Sequence, residues 1–384
     1  MDKNFSSIEV ECECGKTHEL SSLNFFKNKL TEFVNYLDSR NIISVRLFVD
    51  SKLLDDEIVY DLKKLLKNQN IKLQITNLSI KHAEVFKANY IEFFNEEHII
   101  VYGDDPLIEL VKYYAFSVDI GYSIFLYKEF YDFTFSKFAR LYDGICYGFY
   151  SVCSPESIVY YEKNGIDIID KQKYLFNKKL AYFENFVLDR IEECDICNKI
   201  NSKLKKVEKL SCKITKDLDA IYSLIFIGRA MSFFNCTKDF FSAEIDIANV
   251  LEVLSKKDFM YCYDIACKLV FRTYTMAIST NLKTLNLNLN RRIGKIKNIL
   301  NLPVTKCLSF IKKQKSSERL LRNVRIVQAL KYTLLDLLEN DNLIENVNIS
   351  PKILASAIYL APEFSLRYSF LNMIRDLGYL ENLI

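Results

Sequence analysis

Between residues 45 and 126, short β-branched and aromatic runs alternate with amphipathic stretches, the pattern of a parallel sheet flanked by helices. Val45–Val49 reads as a strand ending at Asp50, and a helix with Leu62, Leu65 and Leu66 on one face follows it. The pattern repeats with a strand at Ile71–Ile75, an amphipathic stretch running through Val85, and a strand at Ile99–Tyr102. Gly103-Asp104-Asp105-Pro106 then opens a helix in which Leu107, Leu110, Val111 and Tyr114 recur at i, i+3, i+4 and i+7. Asp105 and Pro106 fit the N-cap and first helical position. Gly121 punctuates the step to a further buried strand, Tyr122–Leu126. Beyond about residue 170 the texture changes to long helical periodicity, as in Leu180, Phe183, Val187 and Ile191. The expected fold class is therefore α/β with a mainly parallel sheet over residues 1–170, followed by an all-α part over 171–384.

The chain has 384 residues, enough for two such domains with full cores. Its net charge of +3 names no partner. Met1–Val10 lacks the basic-then-apolar layout of an export signal, and the longest apolar run, Ile221–Phe234, is interrupted by Arg229, so a cytoplasmic protein with no membrane contact is expected. Eleven cysteines then read as reduced thiols. Cys12-x-Cys14 with His18, and Cys194-x-x-Cys197, are each one half of a metal or redox site, and a closed zinc site needs four ligands. Only nine glycines are present, which argues against glycine-rich loops that bring backbone close to phosphate. No histidine follows His98, so the remainder of the chain has none to offer a catalytic metal.

One segment is strongly cationic. From residue 286 to 330 the basic residues are Arg291, Arg292, Lys295, Lys297, Lys306, Lys312, Lys313, Lys315, Arg319, Arg322 and Arg325, against the single acid Glu318. Such a run is expected to form a solvated helical face; its other reading is a docking surface for an acidic partner. No aromatic interleaving points to nucleic acid.

Several collinear segments carry a resemblance. Cys14-Gly15-Lys16-Thr17-His18-Glu19-Leu20, Gly103–Ala115 and Ala139-Arg140-Leu141-Tyr142-Asp143-Gly144 resemble the first half of the glycerol-1-phosphate dehydrogenase family. Ala181–Asn185, Gly228-Arg229-Ala230-Met231-Ser232, Leu360-Ala361-Pro362, Arg367-Tyr368 and Asp376-Leu377-Gly378 are similar to its helical half. The resemblance spans nearly the whole chain and implies the fold of dehydroquinate synthases and iron-dependent alcohol dehydrogenases. That fold has a dinucleotide-binding α/β domain, here 1–170, and a helical metal-binding domain, here 171–384.

The residues that would carry the family's chemistry depart from its pattern. Where the family has a Gly-Ser-Gly-Thr turn for the dinucleotide pyrophosphate, this chain has Gly103, Asp104, Asp105 and Pro106, with two carboxylates and a proline in place of backbone donors. The positions of the family's metal-binding aspartate and two histidines correspond to Asn185, Ile245 and Tyr261, which do not replace carboxylate and imidazole as zinc or iron(II) ligands. The lysine after the metal aspartate corresponds to Asp189, and the substrate segment to Glu129, Phe130, Tyr131 and Asp132. Oxygen ligands for a hard cation remain in Asn185, Glu244, Asp246 and Asp264. Lys112, Lys128, Lys137 and Arg140 could recruit a phosphate in the cleft.

The resemblance with these departures implies a dehydrogenase relative without zinc, iron or NAD(P), acting as a noncatalytic binding protein or partner subunit. A homodimer, or a heterodimer with an intact paralogue, is the expected assembly. The rival expectation is an NAD(P)-dependent oxidoreductase, or another enzyme of a phosphorylated polyol or sugar, with altered or no metal.

Overall fold

A computed structural model describes residues 5–11, 17–127, 131–161, 181, 184, 217–235, 237, 240–280, 289–311, 317–329, 348–365 and 368–380. The chain divides into two compact units, Met1–Lys171 with Lys209–Thr237, and Gln172–Glu208 with Lys238–Ile384. The helix Asp217–Phe234 therefore belongs with the first unit, and a single cut at 170 does not divide the chain.

The first unit opens with the antiparallel pair β1 (Ile8–Glu11) and β2 (Thr17–Leu20). There follow β3 (Asn24–Lys27), α1 (Leu30–Ser39), β4 (Ser44–Asp50), α2 (Glu57–Asn68), β5 (Lys72–Leu78), α3 (Val85–Ala88), β6 (His98–Tyr102), α4 (Asp105–Ser117) and β7 (Tyr122–Leu126). The hairpin β8 (Phe138–Tyr142) and β9 (Tyr147–Ser151) precedes β10 (Ser157–Tyr160). Six strands form one all-parallel sheet in the order β3-β10-β7-β6-β4-β5.

Inner strands of such a sheet are covered on both faces, which is why β4, β6 and β7 read as continuous apolar runs. On one face Leu47, Val49, Ile100, Phe125 and Val159 pack against Phe33, Val34 and Leu37 of α1 and Ile58, Val59, Leu62 and Leu66 of α2. On the other, Tyr114 of α4 meets Phe48 edge-on, with ring centroids 5.5 Å apart. Arg46 is the polar exception inside β4. It is 3 % exposed, lies between the rings of Phe48 and Phe94, donates from Nε to Thr76 Oγ1 at 2.8 Å, and pairs with Glu96 at 3.3 Å.

Two local expectations shift. The strand expected at 71–75 runs from Lys72 to Leu78; it is the sheet edge, so its half-exposed residues blur the apolar signal. The stretch expected to be amphipathic through Val85 holds only the four-residue α3. Among its described residues the second unit has helices and no strand, the longer ones being Ala243–Ser255, Phe259–Ser279 and Pro351–Phe364. No helix among the described residues is long and apolar enough to cross a membrane.

Candidate functional site

In an open parallel sheet, ligands bind beyond the carboxyl ends of the strands, where the strand order reverses. Here β4 is followed by β5 on one side and β6 on the other, so the switch point lies between the ends of β4 and β6, at Asp50 and Gly103. Gly103 serves close packing: a Cβ there would fall 2.7 Å from Leu107 Cδ2 and 3.2 Å from Asp50 Cβ.

The N-cap of α4 is Asp104, one residue earlier than the sequence suggests, so Asp105 and Pro106 lie inside the first turn. The Asp104 carboxylate makes no capping bond and turns instead to the Lys52 ammonium, which also lies 3.9 Å from Asp50. Burial pulls the Lys52 ammonium down, but Asp104 and then Asp50 outweigh it and hold its pKa above the usual value. Asp105 does not face the crevice as expected; its carboxylate lies 3.7 Å from the buried Arg140 guanidinium. Pro106 has no N–H, and the N–H groups of Leu107 and Ile108 already donate to the Asp104 carbonyl at 3.0 and 3.1 Å. Sequence reasoning passed over Lys52 and treated Asp50 only as a strand end; an acid at a strand's carboxyl end with a lysine two residues on was the available signal.

The cations proposed for the cleft have other positions. Lys112 is fully buried, 3.1 Å from Glu109 Oε1, and donates to the carbonyls of Phe133 and Phe138 at 2.8 and 2.5 Å, so it cannot reach a ligand. Arg140 is 2 % exposed and stacks over Tyr147, 3.8 Å from the ring centroid. Asp132 is buried and its carboxylate accepts from Phe133 N at 2.9 Å; Tyr131 is buried, stacked on Phe133 with centroids 5.0 Å apart. Lys128, Glu129 and Phe130 lie outside the described residues.

In the second unit, Ile245 is a buried core side chain, 5 % exposed. The Tyr261 hydroxyl accepts from Asn348 N–H at 2.9 Å. Asp264 pairs with Lys268 one turn later at 3.0 Å, while Glu244 and Asp246 sit on the first turn of Ala243–Ser255. Among the described residues no three His, Cys, Asp or Glu side chains gather as a metal site, so Glu244, Asp246 and Asp264 do not form the oxygen cluster considered for a hard cation. Asn185, Asp189, Cys12, Cys14, Cys194 and Cys197 lie outside the described residues; His18 Nδ1 lies 2.9 Å from the Phe233 carbonyl. The cationic segment is only partly a solvated face. Arg291, Lys297, Lys306, Arg322 and Arg325 are exposed, but Arg292 is 4 % exposed and bonds Glu363 through two nitrogens, at 2.8 and 2.5 Å.

No family model matches the chain, and no curated protein matches it in sequence. Solved structures do match its fold. NADH-dependent butanol dehydrogenase A from Thermotoga maritima aligns at 12 % identity and a TM-score of 0.54, covering 94 % of this chain and 96 % of its own. Alcohol dehydrogenase from Oenococcus oeni aligns at 10 % identity and a TM-score of 0.55, covering 99 % of this chain and 100 % of its own. A 1,3-propanediol oxidoreductase aligns over the full length of both chains at 10 % identity and a TM-score of 0.52. A parallel α/β unit followed by a helical one, matched end to end at such low identity, gives this chain the fold of these dehydrogenases.

Proposed function

We propose that this chain is a noncatalytic relative of the metal- and NAD(P)-dependent dehydrogenases whose fold it shares, working as a binding protein or partner subunit, either with itself or with an intact paralogue. The observation that carries this reading is the switch-point crevice, where Asp50 and Asp104 hold the Lys52 ammonium between them. A pyrophosphate needs free backbone donors at a helix N-terminus and room for its charge. Pro106 removes one donor, Leu107 and Ile108 have already donated theirs, and Asp104 brings negative charge to the positive end of α4. These residues do not fit a dinucleotide. The donor chemistry of the second unit supports the same reading, since a buried isoleucine and a phenol engaged by Asn348 stand where the resemblance implies metal-binding imidazoles.

The test is a calorimetric titration of the purified, metal-analysed protein with NADH and with NADPH, with and without dihydroxyacetone phosphate. No heat of binding is expected up to about 1 mM cofactor. Binding in the micromolar range overturns the reading and restores an oxidoreductase.

A further inference from the structure

The two edges of the parallel sheet differ. β3 ends one side with four residues, whereas β5 ends the other with seven, as long as the interior strand β4. Proteins blunt edge strands by shortening them or by adding charge, proline or a bulge, because an open edge is a template for another strand. β5 carries one charge, Lys72 at its first residue, and no proline, and its register with β4 is unbroken from Lys72 to Leu78.

The ladder fixes which groups face outward. The Lys72 N–H donates to the Ile43 carbonyl at 2.9 Å. Backbone groups point to alternate sides along a strand, so Gln74, Thr76 and Leu78 also face β4, while the N–H and C=O groups of Leu73, Ile75 and Asn77 face away from it. Among the described residues nothing bonds to these outward groups. The side chains of Leu73 and Ile75 pack half-buried against the core beneath α1 and α2, and Asn77 is exposed. Apolar side chains flank the edge. Ile43, whose carbonyl takes the Lys72 N–H, is exposed. Phe94 is exposed as well, and its ring lies against Arg46, whose Nε donates to Thr76 Oγ1 at 2.8 Å.

We propose that β5 is the docking edge for a second copy of this chain, strand against strand about a twofold axis at Ile75, joining two six-stranded sheets into one. A twofold axis makes the paired strands antiparallel. Ile75 then exchanges both backbone bonds with the partner's Ile75, and Leu73 does so with the partner's Asn77, so that every outward group of these residues is used. Lys72 falls opposite the partner's Leu78, so no like charges meet, and the stripe of Leu73 and Ile75 continues across the seam. The pairing closes on itself and leaves only the short β3 as an edge. It gives a surface to the self-association named above and rests on nothing in the Asp50–Asp104 crevice, so its test is read apart from the cofactor titration.

Sedimentation equilibrium of the full chain is expected to give twice the chain mass of 45.0 kDa, with a Kd below about 100 µM. Residue-resolved amide exchange on the same sample locates the contact. The outward amides of Leu73, Ile75 and Asn77 should exchange less than about tenfold faster than those of Gln74 and Thr76, which β4 holds. Asn77→Pro removes one outward N–H and no bond to β4, so the fold should be retained while association weakens about tenfold or more. A Kd above about 100 µM overturns the proposal, as does a smaller effect of Asn77→Pro. A dimer whose outward amides exchange about tenfold or more faster than the inward ones overturns it too, since such a dimer uses another surface. The exchange measurement decides alone if Asn77→Pro does not fold.

Discussion

Lys112 Nζ lies 3.1 Å from Glu109 Oε1 one turn earlier on α4, and both side chains are at 0 % exposure. A buried pair of this kind is costly to break from one side, since the surviving charge has no solvent. Lys112→Met and Glu109→Gln are each expected to lower stability by about 3–5 kcal/mol, and the double variant by less than their sum. Urea denaturation of the three variants checks this. Full additivity would mean that the two groups do not act as a pair.

Gly103→Ala reports on why the switch-point glycine is there. The added methyl would meet Leu107 and Asp50, so a loss of about 1–3 kcal/mol in unfolding free energy is expected. A stability change below about 0.5 kcal/mol would show that the turn has slack and that packing does not require the glycine.

His98 gives a pH signature. Burial, with a smaller push from Arg40, holds its pKa down to about 3, well below the ordinary value of 6.5. The folded chain therefore keeps His98 neutral while the unfolded chain takes up a proton below pH 6.5. Its contribution is fully present above pH 6.5 and is lost as pH falls towards about 3, at roughly 1.4 kcal/mol per pH unit. Urea midpoints at pH 7 and pH 5 should differ more in the unaltered chain than in His98→Asn. Identical shifts would remove His98 from the acid response.

Arg292 separates the buried from the solvated part of the cationic segment. Arg292→Met takes from buried Glu363 the guanidinium that bonds it through two nitrogens, while Arg375 stays 3.5 Å away, and is expected to cost about 3 kcal/mol or more. Arg291→Ala, on the exposed face next to it, should stay within about 0.5 kcal/mol. Thermal unfolding of both reads the contrast, and equal effects would contradict the buried pair.

The interior strands β4, β6 and β7 are legible in the sequence because both faces of each are covered, so every position selects apolar residues. The i, i+3, i+4 pattern of α4 is legible for the same reason. Strands β3 and β10 escape notice because four residues each, Asn24–Lys27 and Ser157–Tyr160, give too short a run to stand out from their surroundings. Charge counting misjudges Arg292 because its partner lies 71 residues away, and Lys112 because its ammonium is satisfied by carbonyls of a distant turn. The crevice was half legible. The Gly-Asp-Asp-Pro turn announces lost backbone donors, but only the fold shows Lys52 lodged between Asp50 and Asp104, and Asp105 turned inward to Arg140.

The strand order also governs when this unit can assemble on the ribosome. β10 lies between β3 and β7, so the first strand of the sheet has no neighbour until the last has been synthesised. From residue 27 to residue 157 of translation, β3 waits as an unpaired segment while β4, β5, β6 and β7 can already zip together beside it. The helix Asp217–Phe234 joins the unit later still. Until β10 is made, any sheet the nascent chain forms is limited to these four strands and leaves the β7 edge open, the stage at which chaperone engagement or off-pathway strand pairing has its longest opportunity.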